Sequence, residues 1–104
     1  MNPFDIVIIY LSWGDSGKSR PVLVIAQENE KIAAFPITTQ YETKSEQIRK
    51  NYFKIDDWEQ SGLDKESYVD TGNMLKLPQK VFDSKTPVGQ LTINDKLRFL
   101  DFIK

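Results

Sequence analysis

The sequence contains no cysteine and no histidine among its 104 residues. The absence of cysteine excludes disulfides, thiolate metal sites, iron–sulfur clusters and a cysteine nucleophile. The absence of histidine excludes a Ser-His-Asp triad, an imidazole proton shuttle and histidine-based zinc or iron sites. Any catalysis must therefore use Asp, Glu, Arg, Lys, Tyr, Ser or Thr side chains.

Long apolar runs are also missing. The longest are residues 6–11 and 22–26, far short of the roughly 20 apolar residues that cross a bilayer. The first residues carry Asp5 and no basic group, and no small-residue cleavage site follows the first apolar run. We therefore expect neither a transmembrane helix nor a secretory signal, and we expect a cytoplasmic protein. The length predicts a single domain, 1–104.

Neither sign of charge is in excess, because 14 Lys and Arg side chains stand against 15 Asp and Glu and the formal net charge is −1. This balance argues against a uniformly basic nucleic-acid-binding surface. The charges are nevertheless unevenly distributed: residues 51–71 are mostly acidic and residues 72–104 mostly basic. A local basic groove therefore remains compatible with the composition.

Residues typical of β-strands dominate the first part of the chain. The three segments with this composition are 6–11, 21–26 and 32–39. The first two are apolar throughout, which is typical of strands buried on both faces. Small polar residues and two glycines at 12–19 predict a long loop between them. A polar turn at 28–31 predicts a hairpin to the third strand, in which Pro36 indicates a bulge or an edge position.

Shorter elements follow. Residues 40–51 have almost no apolar anchor, which predicts an exposed and mobile loop. The next predicted elements are a short strand at 52–55, a helical turn at 57–62 closed by glycine, and a strand region at 67–77 interrupted by Gly72. Thr92 and Asp95 resemble a capping box that opens a C-terminal helix. One face of that helix carries Ile93, Leu97, Leu100 and Ile103.

Five or six short strands and one terminal helix predict a mainly β protein with a C-terminal helix, arranged as a small SH3-like barrel. A barrel of this size has one interior, yet the first two strands are apolar on both faces. The helix or a second copy of the chain must therefore cover the other face. We expect a homodimer.

The segment Gly17-Lys18-Ser19-Arg20-Pro21 places two cations just before a rigid strand. The guanidinium group of Arg20 is suited to bind a phosphate or a carboxylate through two hydrogen bonds. The alternative is that Arg20 forms an ion pair with a neighbouring acid such as Asp15. The spacing of Gly14 and Gly17 does not match a P-loop, so ATP binding is not implied.

Further polar candidates lie on later strands. Alternation places Thr38 and Gln40 on one face of the third strand, which is expected to be the face of Arg20. Threonine is also common in strands for its β-propensity alone. Asp70 interrupts a strand-like run, where a carboxylate is disfavoured. It is a candidate catalytic base, or alternatively a member of an ion pair on a solvated face.

Basic and aromatic side chains near these strands could form a groove for a single-stranded nucleic acid. The basic candidates are Lys18, Arg20, Lys44, Arg49, Lys50 and Lys76. The aromatic candidates are Trp13, Tyr41 and Tyr52, which could stack on bases or instead pack in the core or in a dimer interface. Binding to such a groove should weaken steeply with salt, whereas a protein-binding module should not show this dependence.

Three segments, 5–7, 17–25 and 36–40, resemble the PemK/MazF toxin family in order and spacing. The strand at 67–69 and the segment 88–92 before the final helix are also similar, so the resemblance spans nearly the whole chain. It implies the CcdB/PemK/MazF-like toxin fold. It also implies a homodimeric toxin that pairs with a cognate antitoxin and cleaves single-stranded RNA without a metal ion or cofactor.

The resemblance implies that Arg20 and Thr38 are catalytic. A ribose 2′-hydroxyl would attack its own 3′-phosphodiester and leave a 2′,3′-cyclic phosphate and a 5′-hydroxyl. We expect Arg20 to clamp the phosphate and stabilise the transition state, because a guanidinium is a poor base. Thr38 would orient a phosphate oxygen or the 2′-hydroxyl. RNA contacts are expected from Gly17, Lys18, Ser19, Thr39, Gln40, Lys44 and Lys76.

The sequence departs from the family on the fourth long strand. Many relatives carry an acid, a glutamine and then an Arg-Thr pair there, whereas this chain has Gly72-Asn73-Met74-Leu75-Lys76. We expect Asp70 to replace the missing acid as the base and Lys76 to replace the arginine. The missing groups also leave open a different function: a toxin without nuclease activity, or an SH3-like module, that binds a protein target such as gyrase.

Overall fold

The computed structural model describes the backbone of residues 1–104 and the side chains of all of them except residue 13. Within this part of the molecule the strands are β1 (Asp5–Trp13), β2 (Ser16–Glu28), β3 (Lys31–Thr38), β4 (Tyr52–Lys54), β5 (Tyr68–Asp70), β6 (Leu75–Pro78) and β7 (Gly89–Gln90). The helices are α1 (Glu46–Arg49) and α2 (Ile93–Phe102), and a single 3-10 turn spans Gln79–Val81. Neither helix has the length and apolar character needed to traverse a bilayer.

The strands form one curled antiparallel sheet in the order β4-β5-β3-β2-β1-β7, with β6 paired to β3 beside this path. Strand β3 changes its partner along its length. Its first half, Lys31–Ala34, pairs with β6, and its last two residues, 37 and 38, pair with β5. This mainly β architecture with a C-terminal helix is the predicted fold class.

The hairpin of β1 and β2 corrects the predicted loop at 12–19. The two strands pair without interruption from Ile6 opposite Leu23 to residue 13 opposite Ser16, so only residues 14–15 form the turn. Gly14 supplies the left-handed backbone there, with φ of 55°. Polar residues can continue a strand at this end because the projecting ribbon is open to solvent. The polar composition that suggested a loop therefore belongs to exposed strand.

The second hairpin forms as predicted, with Asn29 in the left-handed conformation at the turn, φ 56°. The bulge does not lie at Pro36, however. It lies on β2, where the pairing with β3 shifts between Val24 and Ala26. Pro36 is in a central strand, between the segments of β3 that pair with β6 and β5. A residue without an N–H is accommodated there because the ladder on that side is interrupted.

Each face of the sheet carries its own apolar cluster. The first cluster contains Ile6, Leu23, Phe35, Ile37, Phe53, Ile55, Val69, Leu91 and Phe99. The second contains Val7, Ile9, Val22, Val24, Ile32, Ala34 and Phe82. The expectation that β2 is buried on both faces is confirmed at Val22, Leu23 and Val24. Strand β1 is buried on both faces only in its first half, since Ile8 is 44% and Tyr10 62% exposed.

Helix α2 begins at the predicted cap, but its acid has a different role. The Thr92 hydroxyl accepts from the Asp95 N–H at 3.3 Å. The buried Asp95 carboxylate does not complete a capping box. It accepts from the backbone N–H groups of Asp56 and Asp57, at 3.3 and 2.8 Å, and from Arg98 at 2.6 Å. Thr92 in turn donates to the Asp57 carboxylate at 2.6 Å. The Asp95 carboxylate therefore caps the start of the predicted helical turn at 57–62, and the bond from Thr92 to Asp57 joins the start of α2 to that turn.

The buried face of α2 is not its aliphatic face. Phe99 is fully buried and makes edge contacts with Phe4, Phe35 and Phe53, with ring centroids 6.3, 6.2 and 5.1 Å away. The residues of the predicted face lie outward, where Ile93 is 74% exposed. We call Ile93, Leu97, Leu100 and Ile103 the aliphatic stripe. The aromatic side chain reaches the core, so it decides how the helix is rotated.

Replacing Asp95 with alanine should lower the free energy of unfolding by about 3 kcal/mol, because two buried backbone N–H groups and the Arg98 guanidinium lose their acceptor. Urea denaturation followed by circular dichroism measures this loss. Asp101→Ala is the matched control on the same helix, since its carboxylate is 80% exposed, and should change stability by no more than about 0.5 kcal/mol. Equal losses in the two variants would contradict the stabilising role of the Asp95 hydrogen bonds.

Candidate functional site

A cavity of about 420 Å³ lies where the start of β2 meets the end of β3. Its polar lining includes Arg20, Thr38, Gln40, Lys44, Tyr52 and Asp70. It lies on the same sheet face as the second apolar cluster, next to the part of that face on which Phe82 packs. The sheet face is thus apolar where it is covered and polar where it is open.

Strand register explains why these side chains meet. Val22 lies opposite Pro36 in this antiparallel pair. Arg20, two residues before Val22, and Thr38, two residues after Pro36, therefore lie beside each other on the same face. Strand β5 follows β3, and its Asp70 lies directly opposite Tyr52 on β4. The structure thus brings Arg20, Thr38 and Asp70 to one cavity, and Gln40 joins them as strand alternation predicted.

Arg20 is half-buried, and its Nε atom is fully buried with no hydrogen-bond partner among the described residues. None of the ion pairs between described side chains includes it. The alternative of a pair with Asp15 is therefore not realised. An unsatisfied buried donor costs about 1–3 kcal/mol. An anion that accepts from this guanidinium would recover that free energy.

Asp70 is fixed by the turn that follows it. Its Oδ1 accepts from the Gly72 N–H at 3.0 Å and its Oδ2 accepts from the Asn73 amide at 2.7 Å. Among the described residues it forms no ion pair, so the alternative of a solvated pair is not realised either. The Gly72-Asn73 sequence that departs from the family pattern thus holds the carboxylate in place. The Thr38 hydroxyl is also fixed by a local hydrogen bond, because it accepts from the Gln40 N–H at 3.0 Å.

Tyr52 is a titratable member of the cavity, whereas the sequence predicted only an aromatic that stacks on bases or packs in the core or in a dimer interface. Burial raises the pKa of its phenol, the Asp70 carboxylate raises the pKa further, and the Arg20 guanidinium lowers it. The phenol therefore stays protonated at neutral pH, while both charged groups act on it. Only the pairing of β4 with β5 reveals this position, because Tyr52 and Asp70 are far apart in the sequence.

The segment 40–51, predicted as a mobile loop, is more structured than predicted. It contains α1, which begins after the Ser45 cap. Arg49 donates to the Tyr41 carbonyl at 3.1 Å and lies over the Tyr41 ring at 4.9 Å. That ring stacks on Tyr68 at 4.4 Å. These contacts hold the segment against the sheet, and Lys44 from this segment lines the cavity.

The aromatic candidates for base stacking have different surroundings. Tyr41 is already engaged by Tyr68 and Arg49, so its ring is not a free platform. Tyr52 is buried, with its ring centroid 6.5 Å from that of Tyr68. The side chain of Trp13 lies outside the described part of the structure. Stacking of a base on any of the three stays a prediction.

The other predicted RNA contacts divide between two places near the site. Lys18, Ser19 and Thr39 line a smaller cavity of about 180 Å³ that shares Arg20, Thr38 and Gln40 with the first. Gly17 lines neither cavity. A Cβ atom at this position would overlap the outer end of the exposed Tyr10 ring, so a larger residue here would require Tyr10 to move.

Lys76 corrects a prediction, because it is not near Arg20. It pairs with Ala33 in the first half of β3, about 17 Å from Thr38 at 3.3–3.4 Å per strand residue. There it lines a larger open groove of about 910 Å³ that also holds Glu28, Glu30 and Lys31. The chain turns at 71–74, and β6 then pairs with the other end of β3. Lys76 therefore does not lie beside Arg20 within this chain, where a replacement for the arginine of the family pattern was expected.

The arrangement can bind an anion and move protons. Arg20 and Lys44 supply positive charge, Thr38 a hydroxyl, Asp70 a carboxylate and Tyr52 a phenol. No group of three or more carboxylates that could hold a metal ion forms within the described residues. These groups are suited to a phosphate diester, which needs charge stabilisation and two proton transfers when it reacts.

Comparison with known proteins supports the fold. No protein-family model matches the sequence, and no curated protein matches it. Among solved structures, the chain is similar to the Mycobacterium tuberculosis toxin MazF-mt6, with a TM-score of 0.68 and 22% sequence identity over 95% of this chain and 91% of that one. The predicted SH3-like barrel of the CcdB/PemK/MazF-like toxin fold is therefore confirmed.

The charges of Arg20 and Asp70 should be visible in the titration of Tyr52. Asp70→Asn should lower the pKa of Tyr52, because it removes a negative charge that opposes the phenolate. Arg20→Ala should raise that pKa for the opposite reason. The measurement is an alkaline pH titration by NMR of protein with ¹³C-labelled tyrosine rings. Exposed Tyr10 is the internal control, and an unchanged Tyr52 titration in both variants would contradict the described geometry.

Proposed function

We propose that this chain is the toxin of a toxin–antitoxin pair and that it is an endoribonuclease that cleaves single-stranded RNA without a metal ion. The observation that carries the proposal is the buried, unpartnered Nε of Arg20 in a cavity that also contains Thr38 and Asp70. The fold of a MazF toxin supports it. The resemblance of residues 17–25 and 36–40 to that family implies two of these residues, Arg20 and Thr38.

The chemistry follows from the donors and acceptors in the cavity. Arg20 binds the scissile phosphate and stabilises the extra charge of its pentacoordinate transition state. Thr38 orients a phosphate oxygen or the attacking 2′-hydroxyl, and Asp70 accepts the proton of that hydroxyl. The products are a 2′,3′-cyclic phosphate and a 5′-hydroxyl. Positioning and preorganised charge together supply several kcal/mol of barrier lowering, so no histidine is required.

RNA is held outside the reacting centre by the polar and basic groups around the two cavities. Lys44 lies above the phosphate site, and Lys18, Ser19, Thr39 and Gln40 border it on the side of the smaller cavity. Because these contacts are to the phosphate backbone, RNA affinity falls steeply as salt is raised. A single strand, unlike a duplex, can turn its unstacked bases outward into a groove of this kind.

Two protein partners belong to this proposal. The first is a second copy of the chain, because the aliphatic stripe leaves a contiguous apolar surface on α2. The second is a cognate antitoxin, which would use an acidic or hydrophobic segment to fill the groove and would fold as it binds. The toxin acts in the cytoplasm, where its RNA substrates are.

The activity is tested by incubating the purified protein with a long single-stranded RNA in EDTA and mapping the cut sites and their end groups. We expect discrete cuts with cyclic-phosphate and 5′-hydroxyl ends. Arg20→Ala should slow cleavage by about 100- to 1000-fold, because it removes the main donor to the transition-state charge. Lys80→Ala is the matched control, since it removes a positive charge from an exposed turn outside the cavity.

Cleavage that persists in Arg20→Ala would contradict the assigned mechanism and point to a contaminating nuclease. The absence of any cleavage by the wild-type protein would favour the alternative function, a toxin or SH3-like module that binds a protein target such as gyrase. In that case RNA affinity should show little dependence on salt.

The homodimer is tested by sedimentation velocity at micromolar concentration. The wild-type chain should sediment as a dimer, and Leu97→Asp should sediment as a folded monomer, because it places a charge in the middle of the aliphatic stripe. Leu97 is 64% exposed in the single chain, so its fold does not depend on that side chain. Asp101→Ala on the same helix should remain dimeric. A monomeric wild-type protein would rule out this interface.

A further inference from the structure

Cleavage of RNA by its own 2′-hydroxyl needs a proton donor for the departing 5′-oxygen as well as a base for the attacking oxygen. The cavity contains few candidates for this donor. The Arg20 guanidinium stays protonated in proteins and is already used to hold the phosphate. Thr38 carries a hydroxyl that is too weak an acid to give up its proton readily. The remaining groups with a transferable proton are the Tyr52 phenol and the Lys44 ammonium.

Tyr52 is held more firmly than Lys44. It lies on β4, directly opposite Asp70, where cross-strand Cβ atoms are about 4.5–5.5 Å apart. Its neighbour Phe53 is buried against Phe99, with ring centroids 5.1 Å apart. Lys44, in contrast, comes from the 40–51 segment outside the sheet. The phenol is therefore the donor with a fixed position relative to the phosphate site.

Two hydrogen bonds next to the Tyr52–Asp70 pair hold β4 against β5, and so fix the phenol relative to the carboxylate. Both the N–H and the hydroxyl of Thr71 donate to the carbonyl of Asn51, at 2.9 and 2.7 Å. These two bonds join the residue before Tyr52 to the residue after Asp70. Asp70 uses one acceptor position on each oxygen for Gly72 and Asn73. An ionised carboxylate has about four acceptor positions, so it can still accept a proton from substrate.

We propose that Tyr52 is the general acid of the reaction and protonates the 5′-oxygen as it leaves, while Asp70 accepts the 2′-hydroxyl proton. This inference rests on the proposed ribonuclease activity. The O2′–P bond forms, the P–O5′ bond breaks, and the reaction leaves a tyrosinate and a protonated Asp70. A proton passes from Asp70 back to Tyr52 through solvent and restores the starting state. No oxidant, reductant or co-reactant is required.

The electrostatics of the cavity are consistent with this role. Burial and the Asp70 carboxylate raise the pKa of Tyr52, so the phenol carries its proton before the reaction. The Arg20 guanidinium lowers the same pKa and so stabilises the tyrosinate that remains afterwards. When Asp70 becomes protonated during the attack, its opposition to the tyrosinate disappears. The two proton transfers therefore assist each other.

The test uses two RNA substrates of the same sequence, one with the ordinary 5′-oxygen and one with sulfur in place of that bridging oxygen at the cut site. A thiolate leaves without protonation, so the second substrate does not need a general acid. Tyr52→Phe should slow cleavage of the oxygen substrate by about 100- to 10,000-fold. It should slow cleavage of the sulfur substrate by less than about 3-fold, since the phenyl ring keeps the packing of the strand.

Tyr68→Phe is the matched control, because it removes a phenol that donates to Glu66 and does not line the cavity. It should leave both rates unchanged. Lys44→Met tests the competing donor and should slow both substrates alike by weakening RNA binding. Thermal denaturation of each variant confirms that it is folded.

Several results would overturn the inference. If Tyr52→Phe slows both substrates equally, the phenol positions the RNA and does not protonate it. If it slows neither, the phenol has no role. A defect in Lys44→Met that is rescued by sulfur would identify Lys44 as the acid. In each of these cases wild-type cleavage of the oxygen substrate leaves the ribonuclease proposal standing. Failure of the wild-type protein to cleave either substrate would overturn both.

Discussion

The antiparallel pairing of β2 with β3 is the constraint on which the rest of this molecule depends. It brings the start of one strand beside the end of the other, and so places Arg20 next to Thr38 on a single sheet face. The bulge after Val24 bends the same pair and allows the sheet to curl. Apolar residues at the middle of both strands bury this pairing on two sides, which holds the polar ends still. The buried middle of the two strands therefore fixes the positions of the side chains in the candidate site.

The change of partner along β3 separates the sheet into a covered end and an open end, and the open end contains the candidate site. Against β6 the sheet face is closed by Phe82, and against β5 it is open. The Arg20 Nε atom, which has no hydrogen-bond partner among the described residues, lies at this open end. An anion that enters the cavity can reach it there. The free energy lost there is small compared with what the two apolar clusters supply. The apolar clusters and the candidate site therefore lie in different parts of one sheet.

The predictions from sequence held where local pattern decides structure. The three long strands, the turn at Asn29, the cap at Thr92 and the glycine-closed turn before Leu63 all follow from short-range preferences. They failed where a distant element decides. Segment 12–19 is strand because β1 and β2 extend each other, and α2 turns its aliphatic stripe outward because Phe99 fills the space between three other aromatic rings. Lys76 misses the site because the turn at 71–74 redirects the chain.

The sequence by itself determined the mainly β class, the expectation that Thr38 and Gln40 share one face, and the exclusion of cysteine and histidine chemistry. Alternation along a strand and composition are properties of neighbouring residues, so no fold is needed to see them. The tertiary structure alone decided that Arg20 lies beside Thr38, that Tyr52 lies opposite Asp70, and that Asp70 is fixed by Gly72 and Asn73. It also decided that the Arg20 Nε atom has no hydrogen-bond partner among the described residues. These facts depend on strand register and on which surfaces are covered, and both are set by contacts between residues far apart in the chain.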